Sequence, residues 1–457
     1  MDVGQPAGDS VSEVGSRIDS LAPGKRLWFW VFLISAGGFF EIYDLALTGP
    51  LSAALRAEGI FRTGSAGLFG LSDQSTFVFS TFFGLWLGVL AFSAFGDRLG
   101  RKPVFGYALL WYAAATLIMG LQSDAASICL WRLIAGIGLG AEAVAIDCYL
   151  VEIVPAHIRG RTFSISKSIQ YCARPIGALL AALLVSTTIL EIAGWRWLNV
   201  VPVFGAIGFA VFRRSLPESP RWLASKGRVA EAHAILDQID LGRMKPGEAA
   251  APARPTRRVV ATRPYLRRVS VMIIIYFNLQ AIAYYGFANW TPALLESQGV
   301  DLKASLFYTA GVALASPFAP LLLSLVSDRF ERKHLILASG LLSVACGLSF
   351  AWSVTPAGWL TFGIGLAVFN AIISVNSHNY MSEIYPTGIR ARAVGLIYSL
   401  TRISAAVSSF LIGYVLDIGG AKGVFALITG LMLVALAAVL LLGPHTRNVS
   451  VDDAPDP

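Results

Sequence analysis

Gly96-Asp97-Arg98-Leu99-Gly100-Arg101-Lys102 is a burst of charge and glycine between two long apolar runs, and it recurs. Moving 231 positions along the chain reaches Ser327-Asp328-Arg329-Phe330-Glu331-Arg332-Lys333, with Asp, Arg, Arg and Lys in the same order. The same offset carries Glu152-Ile153-Val154-Pro155, Ile158, Arg159 and Arg161 onto Glu383-Ile384-Tyr385-Pro386, Ile389, Arg390 and Arg392. One offset joining two separate motifs marks an internal duplication.

Composition sets the medium in which the two copies fold. The 457 residues are 55% hydrophobic and 14% charged, with a mean hydropathy of +0.64, whereas a soluble domain carries about 25% charged residues. A helix needs about 20 apolar residues to cross about 30 Å of hydrocarbon. Twelve runs near or above that length occur, at 27–50, 76–95, 103–121, 126–154, 162–189, 197–213, 268–292, 305–327, 333–353, 357–380, 392–416 and 423–443. The expectation is an all-α membrane protein with twelve transmembrane helices in two six-helix pseudo-symmetric bundles, at 27–213 and 268–443. Residues 214–267 read as a linker with short amphipathic helices, turning into a disordered Ala-, Pro- and Arg-rich tether after Gly247. Residues 1–26 and 444–457 read as polar tails, and 1–26 lacks the pattern of a removable signal peptide.

Lys25 and Arg26 precede the first run, and basic residues then collect in alternate loops at 98–102, 159–161, 213–268, 329–333 and 390–392. By the positive-inside rule these loops and both termini face the cytoplasm, across a cytoplasmic (inner) membrane. The net charge of +8 is therefore a topology signal, and no soluble basic face suggests nucleic-acid binding. Cys129, Cys148, Cys172 and Cys346 fall inside the runs without metal-ligand spacing and read as apolar fillers. No metal or cofactor is expected, and the partners are a small-molecule substrate, protons and the bilayer around a monomer.

With those runs as a frame, several motifs converge. Asp97-Arg98-x-Gly100-Arg101-Lys102 after the second run, its echo after the eighth, Arg132 with Gly136, Gly138 and Gly140 in the fourth, and Pro217-Glu218-Ser219-Pro220-Arg221-Trp222-Leu223 after the sixth together resemble the major facilitator superfamily. The resemblance covers nearly the whole chain and implies alternating access around a midplane site. The glycine usual four places before the motif aspartate is Ser93 and Ser324 here, and Glu331 replaces the second-copy glycine, so looser helix approach is expected there. The elements at 152–159 and 217–221 resemble the sugar-porter and metabolite:proton symporter clan. Sugar porters carry a Gln-Gln pair ten residues before a Tyr-Tyr; here Ile274-Ile275 precede Tyr284-Tyr285, and Lys167 falls where their fifth-span Gln stands. Glu41-Ile42-Tyr43-Asp44 is similar to an acidic element of aromatic-acid and other metabolite symporters, so the resemblance lies nearer to organic-acid (aromatic-acid or niacin-type) symporters than to hexose carriers.

An ionisable group inside a span is costly unless paired or hydrated, which makes each one a site hypothesis. Counting 1.5 Å per residue, Arg174 and Glu142 reach similar mid-membrane depth on consecutive spans. Arg174 either offers its planar fork to a substrate carboxylate or pairs with Glu142 or Asp147. Pro175 beside it frees a backbone carbonyl upstream. Glu41 and Asp44, three apart, share a helix face and form with Glu142 and Asp147 the proton-coupling set. Asn278, Gln280 and Tyr284 are the expected substrate-facing groups of the seventh span. Arg402 in the eleventh reads as substrate contact or gate, and His378 as a bundle residue or proton relay.

At the inner face, Asp97 and Arg101 are expected to pair with the neighbouring bundle, with Glu152 and Arg159 answering across the loop. Asp328, Arg332, Glu383 and Arg390 repeat the set in the other half. Such pairs would hold an outward-open state and break on turning inward; the alternative is a topological role alone. The functional expectation is a proton-coupled carrier of a small organic acid. A sugar or polyol carrier is the alternative. A membrane enzyme or receptor is disfavoured, because the five histidines are scattered and no catalytic set or signalling domain is seen.

Overall fold

The computed structural model describes residues 7–21, 24–62, 70, 72–155, 158–212, 215–240, 257–326, 330–446 and 449–452. The first half comprises α1 Ala7–Ser20, α2 Lys25–Ala57, α3 Asp73–Leu99, α4 Arg101–Gly120, α5 Ala125–Ile153, α6 Arg159–Tyr171, α7 Ala173–Leu184, α8 Gly194–Leu198 and α9 Val201–Phe212. Two linker helices follow, α10 Pro220–Ser225 and α11 Val229–Asp240. The second half comprises α12 Arg263–Glu296, α13 Leu302–Ala313, α14 Phe318–Val326, α15 Arg332–Trp352, α16 Pro356–Ile384 and α17 Thr387–Leu442. A hairpin joins β1 Thr188–Ile189 to β2 Ile192–Ala193, and β3 Arg257–Val260 pairs in parallel with β4 Val449–Asp452.

Among the described residues, nine helices are long and apolar enough to cross a membrane. The difference from twelve runs has local causes. The fifth span is divided into α6 and α7, because Pro175 has no N–H for the carbonyl of Tyr171; the turn at Cys172 keeps helical angles (φ −58, ψ −22), so the rod continues. The sixth is only the 12 residues of α9. The eleventh and twelfth run together as the 56 residues of α17, turned at Gly420 with φ 60 and ψ −166, a conformation that costs glycine little and other residues much. The eighth is parted into α13 and α14, with Pro317 in the gap, yet still counts among the nine as Leu302–Leu322.

Inside the first half, α3 and α5 pack backbone to backbone. A Cβ on Gly88 would lie 2.1 Å from the Ile137 carbonyl oxygen, and one on Gly136 2.7 Å from that of Thr81. The small-residue strip thus sets the distance between the second and fourth spans. The halves meet along two seams. On one, Val78 and Phe82 of α3 bury against Ala405 and Ala406 of α17, and the Trp86 indole donates to Ser399 Oγ at 2.9 Å. On the other, Tyr171 of α6 packs on Ala319 of α14 and Ala371 of α16, while Ser168 Oγ donates to the Pro317 carbonyl.

The face opposite the basic loops is closed where α2 meets α12. Gly49 leaves no room for a Cβ, which would stand 2.5 Å from the Asn289 carbonyl oxygen, and Arg56 pairs with Glu296 at 2.9 Å. On the basic face, the segment read as a polar tail contains α1, an amphipathic helix. Val14, Ile18 and Leu21 are buried against Leu223, Ala224, Ala232 and Leu236 of the linker helices. Arg17 pairs with Asp237 and donates to His233 Nδ1 at 2.7 Å, and Asp19 lies 3.9 Å from Arg159 and 3.7 Å from Arg221. The tether expected after Gly247 lies outside the described residues.

The duplication extends into contacts. Lys102 Nζ donates to the Leu216 carbonyl at 2.5 Å and Tyr149 Oη to that of Pro217. The donors recur at the same offset: Lys333 Nζ donates to the Gly443 carbonyl at 2.8 Å and Tyr380 Oη to that of Pro444 at 2.7 Å, the acceptors standing 227 rather than 231 positions on. Gly100, at φ 100, makes room for Glu218, whose Oε1 accepts the Arg101 and Lys102 amides at 2.9 and 3.2 Å. In the second half the carboxylate has changed sides: Glu331 occupies the glycine's place and its Oε1 accepts the Thr446 amide at 2.8 Å. The looser approach expected at Glu331 is thus replaced by a direct contact. The side chains of Ser93 and Ser324 lie outside the described residues.

Candidate functional site

The most enclosed charge lies where the glycine strip brings α5 against α3. Arg132 and Asp44 are both buried, and Arg132 Nη1 donates to Asp44 Oδ1 at 2.8 Å. Its Nη2 donates to Thr48 Oγ1 at 2.8 Å and its Nε to Thr81 Oγ1 at 2.8 Å, with the guanidinium 5.0 Å from the centre of the Phe77 ring. Nearly every donor of the fork is used, which is what makes a buried arginine tolerable. Sequence reading took Arg132 for a motif landmark and left Asp44 unpartnered. Their contact joins residues 88 apart, and a charge in each of two spans was its one signal.

Glu142 stands next to that pair and differs from it. It is 0% exposed, and neither carboxylate oxygen has a hydrogen-bond partner among the described residues. The acids facing it are Glu41 and Asp44 of α2. Glu41 is itself buried, with Lys167 and Arg402 as compensating charges and Asp147 as a like one. Asp147 lies 3.5 Å from Lys167 Nζ, and Lys167 also donates to Gln170 Oε1 at 3.2 Å.

Arg174 is bonded to neither of the acids its depth suggested. Its guanidinium lies 3.9 Å above the Tyr171 ring and 5.7 Å from that of Tyr284, which belongs to the other half, and it has no carboxylate partner among the described residues. Equal depth fixed one coordinate of Arg174 and Glu142, and the rotation of each helix sends them to different neighbours. Tyr284 makes an edge contact with Tyr285 at 5.0 Å, and Tyr285 Oη accepts from Arg402 Nη1 at 2.7 Å. Asn278 Oδ1 accepts from Ser404 Oγ at 2.5 Å, and Gln280 is half-buried on the same helix. His378 rests with Nδ1 2.5 Å from the Ser374 carbonyl oxygen, against Tyr398 and Phe277. The described arrangement therefore gathers Arg174, Tyr171, Tyr284, Tyr285 and Arg402 from both halves, with Glu41 and the Lys167–Asp147 pair beside them.

The basic-face pairs run within each half. Arg101 clasps Glu152 through Nη2 at 2.8 Å and Nε at 3.1 Å, and Arg332 Nε meets Glu383 at 3.3 Å. The expected bridge from Arg101 to the neighbouring bundle is thus a contact between α4 and α5, and that of Arg332 one between α15 and α16. Arg159 donates to the Val154 carbonyl at 3.4 Å. The side chains of Asp97, Asp328 and Arg390 lie outside the described residues.

Comparison with known proteins gives this arrangement a family. The sugar (and other) transporter family matches residues 30–456. YyaJ of Bacillus subtilis, named provisionally as a metabolite transport protein, is 29% identical over 95% of this chain and 96% of its own. The niacin transporter NiaP of Acinetobacter baylyi is 26% identical over 96% of this chain and 98% of its own. Among solved structures, the xylose transporter XylE of E. coli, in a partially occluded inward open conformation, superposes with a TM-score of 0.72 at 17% identity, covering 92% of this chain and 98% of that one. At that identity it speaks for the fold alone. The duplicated twelve-span bundle and the match over residues 30–456 make this chain a multi-pass membrane protein of the sugar (and other) transporter family, within the major facilitator superfamily.

Proposed function

We propose that the protein carries a small organic acid, aromatic or aliphatic, across the cytoplasmic membrane by proton symport, with its basic loops and both termini inside. The observation that carries this reading is Arg174: a half-buried cation resting on tyrosine rings, with no carboxylate partner among the described residues. A guanidinium in a low-dielectric seam lacks compensation until an anion arrives, and its planar fork suits a carboxylate. Tyr171, Tyr284 and Tyr285 offer flat apolar faces beside it, which favour an aromatic acid over a sugar. The name of NiaP, a niacin transporter, points the same way, since niacin is an aromatic carboxylic acid.

Proton coupling falls to Glu41, Asp44 and Glu142. A carboxylate with no exposure and no partner is costly when charged, which makes Glu142 the candidate proton carrier, while Asp44 is paired with Arg132. Protonation of Asp44 would free Arg132 and loosen α2 from α5, linking proton entry to movement of the first span. With α2 and α12 closed on one face, the site would open toward the basic loops.

A thermal-shift screen of the purified protein against niacin, benzoate, succinate, xylose and choline tests the substrate class, because ligand binding raises apparent stability. Stabilisation by one or more carboxylates, lost in Arg174→Gln, is expected. Stabilisation by xylose alone, undiminished in Arg174→Gln, would replace this reading with a sugar carrier.

A further inference from the structure

The first turn of α12 and the last turn of α17 enclose a cleft of about 480 Å³ lined by Arg263, Pro264, Arg267, Arg268, Val271 and Leu442. Three guanidinium groups meet there, and among the described residues no acidic side chain lines it. Two cations are already used to hold the end of α17. Arg268 donates to the Leu442 and Leu441 carbonyls at 2.9 and 3.4 Å, and Lys333, beside it, to those of Leu440 and Gly443 at 2.9 and 2.8 Å. Arg263 and Arg267 are exposed and belong to no ion pair among the described residues. Arg263 also opens α12, at the positive end of the helix dipole.

Away from this charged rim the wall turns apolar. Val271 is 44% exposed and Leu441 72%, on the surface that faces lipid in a twelve-span bundle. Cations at the rim and aliphatic side chains along the wall, in that vertical order, complement a molecule with an anionic phosphate head and acyl chains. A soluble anion would use the rim and leave the apolar wall unmatched.

We propose that this cleft is a binding site for an anionic phospholipid from the leaflet on the basic-loop side. The phosphate lies between Arg263 and Arg267 and one acyl chain runs along Val271 and Leu441. The site lies on the outer surface of the second half, where the linker returns to the membrane, and does not depend on which substrate the carrier moves.

The test is native mass spectrometry of the purified, delipidated protein titrated with phosphatidylglycerol, phosphatidylcholine or inorganic phosphate. Phosphatidylglycerol should bind saturably, and the double variant Arg263→Gln/Arg267→Gln should weaken it roughly thirtyfold, from about a factor of five for each basic residue near an anionic surface. Lys226→Gln/Arg228→Gln, which removes the same charge from the turn between the linker helices, should bind as the unaltered protein does. Equal affinity for phosphatidylcholine would overturn the proposal, as would unchanged phosphatidylglycerol binding in the arginine variant. Displacement of the lipid by inorganic phosphate at equal concentration would reassign the cleft to a soluble anion. Should the glutamine variant fail to fold in phosphatidylcholine, Arg263→Lys/Arg267→Lys replaces it: retention of phosphatidylglycerol within a few-fold supports the site, and loss refutes it.

Discussion

In the first half Lys102 and Tyr149 hold the carbonyls that follow the sixth span; 231 positions on, Lys333 and Tyr380 hold those that follow the twelfth. Arg101–Glu152 and Arg332–Glu383 repeat at the same offset. Inside the spans the likeness ends. Arg132, Glu142 and Arg174 map onto Gly363, Ile373 and Ala405, while Tyr284, Tyr285 and Asn278 supply rings and an amide from the second half. Each copy must still close its own basic face, so those contacts are shared. The first half supplies most of the charge at the site and the second most of its rings, with Tyr171 and Arg402 crossing that division.

The largest expected effect is in the first half. Arg132→Met leaves Asp44 buried without its partner, which costs about 3–5 kcal/mol, and thermal unfolding in detergent should show it. If Asp44→Leu restores the stability of Arg132→Met but not accumulation, the pair serves coupling as well as folding.

Arg174→Gln comes next. Losing a fork that meets a carboxylate in a desolvated seam should reduce carboxylate uptake by about thirtyfold or more, at equal protein abundance, with Arg174→Lys in between. Normal uptake by the glutamine variant would leave the rings to bind substrate alone. Glu142→Gln should leave unfolding within about 1 kcal/mol of the parent, since neither carboxylate oxygen has a hydrogen bond among the described residues to lose. In vesicles it should lose accumulation driven by a pH gradient and keep exchange; undiminished uphill transport would remove Glu142 from the proton path.

Two smaller effects probe the shared scaffold. Glu218→Gln and Glu331→Gln each weaken amide contacts near a basic-face loop, for about 1–2 kcal/mol apiece. Equal losses would show that exchanging the carboxylate between loop and helix start kept the contact's strength. Arg56→Gln opens the part-exposed latch to Glu296 for less than about 1 kcal/mol. It should be read as faster alkylation of Ser75→Cys, which lies beside Gly413 and Trp290 at that closure.

Much of the architecture was legible because it is written twice. A repeated motif fixed the register of the halves, and hydropathy located the spans to within a few residues, apart from those that Pro175, Pro317 and Gly420 break or turn. The i, i+4, i+7 stripe of Val14, Ile18 and Leu21 was open to reading as a helix, and the charges around it masked it. The site was legible only in kind. Residue types showed that charge lies in the membrane, but Asp44–Arg132 and Arg174–Tyr171 depend on how each helix is rotated about its own axis. In spans that are apolar nearly all round, hydrophobic periodicity carries little of that rotation.

The docking of α1, α10 and α11 on the first half has a consequence for how the chain can be divided. The described residues up to Asp240 belong structurally to one half, and from Arg257 onward β3 pairs with β4 beside the other. The covalent connection between the two moving bodies therefore reduces to 241–256. A gene split within that stretch would yield two polypeptides, each with its own caps, that can be produced separately and reassembled in one membrane. Transport by such a two-chain carrier would show that the halves find each other through their seams, with the linker acting only as a leash.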